Sequence, residues 1–237
     1  MQDINNNNIQ ALEAYIDEAR KISIVTHQKP DGDAMGSCIA LYHFLRMYDK
    51  KSVRIILNDR FPGYLDFLTS DIPGDCILFF QEMQDTAETL VRDSDLIFCL
   101  DFNAFHRAEN LEPLLLEADC KKVLIDHHLF PDTERFDLVF STQEISSASE
   151  LLFHILKAMP QCGGKAAALP LEAAEALMTG MTTDTNNFNN SGYPSTFNMA
   201  SELIAMGVDR DRILFNLFNQ FGENRLRLLG EMLKDLL

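Results

Sequence analysis

Histidines and aspartates gather at four stations along the 237-residue chain: His27 with Asp31 and Asp33, then Asp101, then Asp126-His127-His128, then Asp184. Together they offer enough nitrogen and oxygen donors to hold two divalent metals. Paired cations generate hydroxide at neutral pH and neutralise charge on a transferring phosphoryl group, which suits phosphate esters and anhydrides. The residues alone therefore read as a metal-dependent phosphohydrolase.

The first station is a loop, Thr26-His27-Gln28-Lys29-Pro30-Asp31-Gly32-Asp33-Ala34-Met35-Gly36-Ser37. A tight Pro/Gly turn brings two carboxylates back beside the imidazole, and Gly32 and Gly36 allow the backbone to turn or to approach a ligand. A helix from Ala34 would aim its free N–H groups at the same place, which favours phosphate. The plainer alternative is that both aspartates only shape the turn and cap the helix. Asp101 ends the apolar run Leu96-Ile97-Phe98-Cys99-Leu100, and a charge there must be solvated, paired or metal-bound. Beside it stand Asn103, His106 and Arg107; Arg107 either grips phosphate or decorates a helix surface. In the third station one histidine can bind metal while the other contacts substrate, and Asp126 can fix an imidazole tautomer. Asp184 follows a helix and a polar turn and gains weight only from its company. The run Ser146-Ser147-Ala148-Ser149-Glu150 reads as a helix-capping sequence, with Ser hydroxyls near substrate as the alternative.

The elements that must position these residues are legible as alternating patterns. Helical spacing marks 9–20, and short apolar or β-branched runs mark strands at 22–25, 53–57, 77–80, 96–100 and 123–125. Helices are expected at 34–48, 82–92 and 107–118, and after Ser146 at 147–159, 170–181, 196–206, 210–220 and 223–236. The fold class is α/β: a mostly parallel sheet of five or more strands with helices on both faces, followed by a helical C-terminal segment. Ligands in such sheets sit beyond the carboxyl ends of the strands, where the stations up to Asp126 fall. The asparagines at 5–8 read as a frayed leader and helix cap, and 183–193 as a polar loop. The last helix carries Leu226, Leu229, Met232, Leu233 and Leu236 on one stripe, which either packs on its own domain or docks against something else.

Composition narrows the function classes. A hydrophobic fraction of 46% with seventeen Phe supports a large core. Five scattered Cys form no C-x-x-C pair, so reduced thiols in a cytoplasmic protein are expected. No basic, apolar leader and no membrane-length apolar run occurs, so a soluble protein is expected. A formal net charge of −16 disfavours long duplex nucleic acid but not a short nucleotide held through metals. Phosphate-binding glycine loops, dinucleotide fingerprints and nucleophile elbows are absent from the sequence.

Taken together, H-x-x-x-D-x-D at 27–33, the strand-terminal Asp101, Asp126-His127-His128 and G-x-x-x-D ending at Asp184 resemble the DHH phosphoesterase family. The likeness runs from about residue 20 to 190, and within the family it points to the nanoRNA oligoribonucleases and 3′-phosphoadenosine-5′-phosphate phosphatases. It implies a dinuclear site, usually manganese, with Mg²⁺ or Co²⁺ as alternatives. By position, His27, Asp31 and Asp101 would hold one ion; Asp33, Asp101, His127 and Asp184 would hold the other, Asp101 bridging. His128, Asp101 and Asp126 would serve catalysis, and His128, Arg107, Asn103 and Ser37 would contact substrate. The expected substrates are short single-stranded RNA, dinucleotides or 3′-phosphoadenosine-5′-phosphate. A non-catalytic nucleotide- or partner-binding module and an inorganic pyrophosphatase stay open, as does a homodimer.

Residues 1–190 are expected to form the catalytic core. Residues 191–237 would supply further helices of the same domain and a link toward a second domain. Oligoribonuclease relatives carry a substrate-gripping C-terminal domain with a Gly-Gly-Gly-His signature, which does not occur in these 237 residues. A truncated or a naturally short form is expected, and turnover by the isolated chain stays open.

Overall fold

Short runs of apolar residues, too brief for helices and rich in Ile, Val and Leu, become, among the described residues, the six strands of one parallel sheet. The computed structural model describes residues 4–48, 52–220 and 223–236. In chain order the strands are β1 (Lys21–Thr26), β2 (Ser52–Leu57), β3 (Ile77–Phe79), β4 (Leu96–Leu100), β5 (Lys121–Asp126) and β6 (Leu138–Ser141). The helices are α1 (Asn6–Glu18), α2 (Gly32–Arg46), α3 (Gln84–Arg92), α4 (Glu112–Glu117), α5 (Ala148–Ala158), α6 (Leu171–Asp184), α7 (Pro194–Ala205), α8 (Arg210–Leu214) and α9 (Glu223–Leu236).

The strand order is β3-β2-β1-β4-β5-β6. It runs outward from β1 in one direction, then resumes at β4 on the other side of β1. That reversal opens a crevice at the carboxyl ends of β1 and β4, where sheets of this kind bind ligands. His27 follows β1 and Asp101 follows β4, so the topology brings two stations 74 residues apart in sequence to one spot.

Both faces of the sheet are covered, which is why the strands read as unbroken apolar runs. Ile24, Phe98, Leu100 and Ile125 pack in one core with residues of α1, α2, α5 and α6. Val25, Ile97, Cys99 and Leu124 point the other way, into a core shared with α3 and α4. This is the period-two alternation of a strand buried on both sides.

The structure differs from sequence expectation in several places. The strand β6 has only four residues, too short a run to show a period of its own, and it is specified by parallel pairing with β5. The span 107–118 is not one helix: Phe105–Leu111 is a 3₁₀ stretch with Glu109 at φ +47°, and α4 starts afresh with Pro113 in its first turn. Proline is tolerated there because the N–H it lacks has no partner in a first turn anyway. Residues 210–220 divide into α8 and a π-helical turn, Phe215–Asn219. Helix α6 continues through the polar residues 182–184. Thr183 and Thr185 donate their hydroxyls to the carbonyls of Gly180 and Met181 and so need no loop. On α9, whose stripe is expected either to pack on its own domain or to dock against something else, Leu226, Leu229, Met232 and Leu233 are all exposed, while the Leu236 side chain lies outside the described residues.

At the other end, Asn5 caps α1 by accepting from Asn8 N–H at 3.0 Å, so 6–8 belong to the helix. No helix among the described residues is long and apolar enough to cross a membrane.

Candidate metal centre

Asp31 accepts the N–H groups of Asp33 and Ala34 at 3.0 and 3.1 Å, which starts α2 at Gly32, two residues earlier than the sequence suggests. Capping and function are therefore not alternatives for this residue, since its Oδ1 also lies 3.9 Å from His27 Nε2. His27 donates Nδ1–H to the carbonyl of Gln28 at 2.7 Å. A carbonyl only accepts, so Nδ1 carries a proton; Nε2 faces Asp101 Oδ2 3.5 Å away and offers a lone pair to a cation when the ring is neutral.

Asp101 sits just past β4 with φ +60°, a left-handed backbone that few non-glycine residues adopt. The conformation is held by its N–H, which donates to the carbonyl of Ile125 at 3.0 Å. Its carboxylate faces two imidazoles at once: Oδ2 toward His27, Oδ1 toward His127 Nε2 at 3.4 Å. His127 Nε2 also lies 3.8 Å from Asp33 Oδ2 and 3.6 Å from Asp184 Oδ2. These spacings are long for hydrogen bonds. They are close to the separations of about 3–3.5 Å between donors sharing one cation at roughly 2.1 Å.

Asp33 is the most enclosed member. Helix α5 presents its first N–H groups to it, Ala148 N donating to Oδ2 at 2.7 Å and Ser149 N to Oδ1 at 2.9 Å. The sequence reading missed this clamp, which is made by backbone. The capping pattern that signals the start of α5 was visible, and an N-terminal helix turn is an anion site. Ser147 caps α5 by accepting from Glu150 N–H at 3.0 Å, so the Ser run is structural.

The glycines serve a purpose other than the one expected. A Cβ on Gly36 would lie 2.6 Å from the Ala176 carbonyl and 2.9 Å from Gly180 Cα, and one on Gly32 would strike Thr183. They let α6 approach α2, which carries Asp184 to Asp33 and His127.

Electrostatics reflect the excess of carboxylate over imidazole. Burial, then the charges of Asp101 and Asp184, push the Asp33 carboxyl well above its usual range. Burial and the neighbouring acids raise Asp184 to about 6, although His127 pulls the other way. Burial also favours the neutral form of Asp101, yet His127 and His27 prevail and hold it at about 2. For His127, burial opposes the proton, but Asp101, Asp33 and Asp184 prevail and push it to about 9. Asp101 Oδ1 is buried with no hydrogen-bond partner. An orphaned buried carboxylate oxygen amid surplus negative charge fits a cation.

Among the described residues three donor groups emerge: His27, Asp31 and Asp101; Asp33, His127 and Asp184; and Asp101, His127 and His128. The third is the weakest. His128 donates Nδ1–H to Asp126 Oδ1 at 2.7 Å, and its backbone N–H reaches Asp126 Oδ2 at 3.1 Å, so that nitrogen is already engaged. Asp126 is fully buried and orients His128.

The expected substrate contacts fare differently. Ser37 is fully buried and donates its hydroxyl to the Ala34 carbonyl at 3.1 Å, because the third residue along from Ala34 faces the core of α2; it is not brought to the crevice. Asn103 donates Nδ2–H to the Leu129 carbonyl at 2.8 Å and so braces the loop after His128. Arg107 is half-buried, and its carbonyl accepts from Gln28 N–H at 2.8 Å, next to His27. A separate concavity of about 560 Å³, lined by Phe80, Glu88, Arg92, Glu109 and Glu112 among others, contains none of the clustered donors.

Residues 21–181 match the DHH family, N-terminal domain. The chain is 29% identical over 204 residues to cyclic-di-AMP phosphodiesterase GdpP of Geobacillus thermodenitrificans, covering 84% of this chain and 30% of that protein. It is 28% identical over 217 residues to the bifunctional oligoribonuclease and PAP phosphatase NrnA of Thermus thermophilus, covering 90% of this chain and 58% of that one. A solved structure, an exopolyphosphatase-related protein from Bacteroides fragilis, superposes with a TM-score of 0.88 at 36% identity, over 97% of this chain and 65% of that one. The chain thus spans less than two thirds of the length of each of these relatives.

Proposed function

The chain belongs to the DHH family, and from that premise we propose that it is a manganese-dependent phosphoesterase of short oligoribonucleotides, dinucleotides or 3′-phosphoadenosine-5′-phosphate. The observation that carries this is Asp101, one carboxylate addressing His27 with one oxygen and His127 with the other. In this reading His27, Asp31 and Asp101 hold one ion, and Asp33, Asp101, His127 and Asp184 hold the second. Mixed imidazole and carboxylate donors favour Mn²⁺ over Mg²⁺, which prefers an all-oxygen, hydrated shell. When bound, the two cations supply Lewis acidity and a water-derived nucleophile at neutral pH.

The remaining steps belong to the protein's own groups. His128 is oriented through Nδ1 by Asp126; in its doubly protonated form the ring would also present Nε2–H, which could donate to a non-bridging phosphoryl oxygen or protonate the leaving oxygen. Arg107, tied through its backbone to the loop after His27, is the cation that would grip a second phosphate. A net charge of −16 leaves little to hold long duplex nucleic acid, which supports a short substrate.

The test is hydrolysis of pApA by the purified chain with Mn²⁺, with and without chelator, beside orthophosphate release from pyrophosphate. Chelator-sensitive cleavage of pApA, abolished by Asp101→Ala, is expected. Tight nucleotide binding without product would make the chain a binding module, and preferential turnover of pyrophosphate would make it a pyrophosphatase.

A further inference from the structure

Phe130 is 86% exposed, the most exposed large hydrophobic side chain among the described residues. It stands two residues after His128, at φ +57°, a backbone that costs a phenylalanine energy and that no buried contact of its ring offsets. The loop carrying it is not slack. Asn103, two residues beyond Asp101, donates Nδ2–H to the Leu129 carbonyl at 2.8 Å, and its own carbonyl accepts from Asp132 N–H at 2.8 Å. Both sides of Phe130 are thereby tied to the segment that follows Asp101. Leu129, also exposed, extends the apolar surface.

Fold stability does not account for an aromatic ring held in water by a braced, strained loop. We propose that Phe130 is the nucleobase-stacking residue of this site, a specificity determinant that selects nucleotides over base-free phosphates. The inference rests on the phosphoesterase reading for the phosphate position and adds the base position. A flat ring on the braced loop that follows His128 would be a sequence-tolerant platform, because every base presents a π face. Bracing by Asn103 lowers the entropy lost when the base settles on it.

The test is calorimetric titration of the chain in Mn²⁺ buffer with AMP and with ribose 5-phosphate, for wild type, Phe130→Ala and Phe130→Trp. The expected result is that wild type prefers AMP, that the Ala variant loses about tenfold in AMP affinity with ribose 5-phosphate unchanged, and that Trp retains the preference. Equal AMP affinity in wild type and the Ala variant, equal loss for both ligands, or no AMP binding by wild type overturns the proposal. So does self-association that disappears in the Ala variant without any base effect, which would assign the ring to a second copy. Because binding is read separately from turnover, a Phe130-dependent AMP preference without hydrolysis would sink the phosphoesterase reading alone. Hydrolysis of pApA without that dependence would sink stacking alone.

Discussion

Ser149 donates its backbone N–H to Asp33 Oδ1 at 2.9 Å across 116 residues of chain, so the first turn of α5 holds an acid delivered by the first turn of α2. Two helix N-termini thus meet at one carboxylate. The arrangement fixes Asp33 in place and leaves its charge, with those of Asp101 and Asp184, to be balanced by His127 and by cations.

Metal uptake should release protons. His127, pushed to about 9, holds at pH 7 a proton that an ion must displace, and Asp184, raised to about 6, adds a second below about pH 6. Apparent Mn²⁺ affinity is expected to rise with pH between about 6 and 9, and calorimetry in buffers of different ionisation enthalpy should report proton release at pH 7. An affinity flat across that range would contradict the assignment.

Asp184→Asn should stabilise the protein in chelator at pH 8. The folded carboxyl titrates at about 6 against an ordinary 3.8, so its contribution is fully present below 3.8 and lost as pH rises through 6. The amide removes that loss, a gain of about 1–2 kcal/mol after allowance for solvent screening. Thermal melts in chelator should place the variant above wild type at pH 8 and level with it near pH 3.5. The extra stability that Mn²⁺ confers on wild type should shrink in the variant.

Glu150 makes an acid-sensitive knot behind the site. Its Oε2 accepts the hydroxyls of Ser146 and Thr196 and the Ser146 N–H, and although burial pushes its carboxyl up, His154 and these hydroxyl donors prevail and hold it near 2. The depressed value means stability present above about 4.5 and lost as pH falls toward 2. Glu150→Gln should cost about 2–3 kcal/mol at pH 7. In urea titrations the gap to wild type should close between pH 4.5 and 2.

Gly180→Ala tests the close approach of α6. The new Cβ would strike Ser149 Oγ and lie 2.9 Å from Asp33 Oδ1. The serine can rotate, but the clamped carboxylate has nowhere to go. A loss of about 1–3 kcal/mol in stability, typical of overpacking, is expected together with weaker Mn²⁺ binding. Unchanged Mn²⁺ affinity by titration would show that the α2–α6 spacing does not set the site.

Much of the site was readable because each ligand station up to Asp126 interrupts an apolar run. His27, Asp101 and Asp126 are legible from the residues that precede them. Asp184 was not, since a helix end looks the same whether or not it faces anything. The role of Ser149 was hidden because a backbone N–H has no residue type. Ser37, expected at the substrate from its place in the motif, is buried, because motif position does not say which way a residue of α2 faces. The exposed stripe of α9 was visible as a pattern, but periodicity cannot say whether a stripe is covered.

By itself the sequence determined the α/β class and the parallel alternation and supplied the candidate donors, because periodicity and residue type are local properties. Tertiary structure alone decided that β1 and β4 are neighbours, that the glycines of α2 and α6 bring Asp184 beside Asp33, and that Asp126 spends itself on His128. Those are distances between residues far apart in the chain. They follow from how two cores close over the two faces of one sheet, which no single segment encodes.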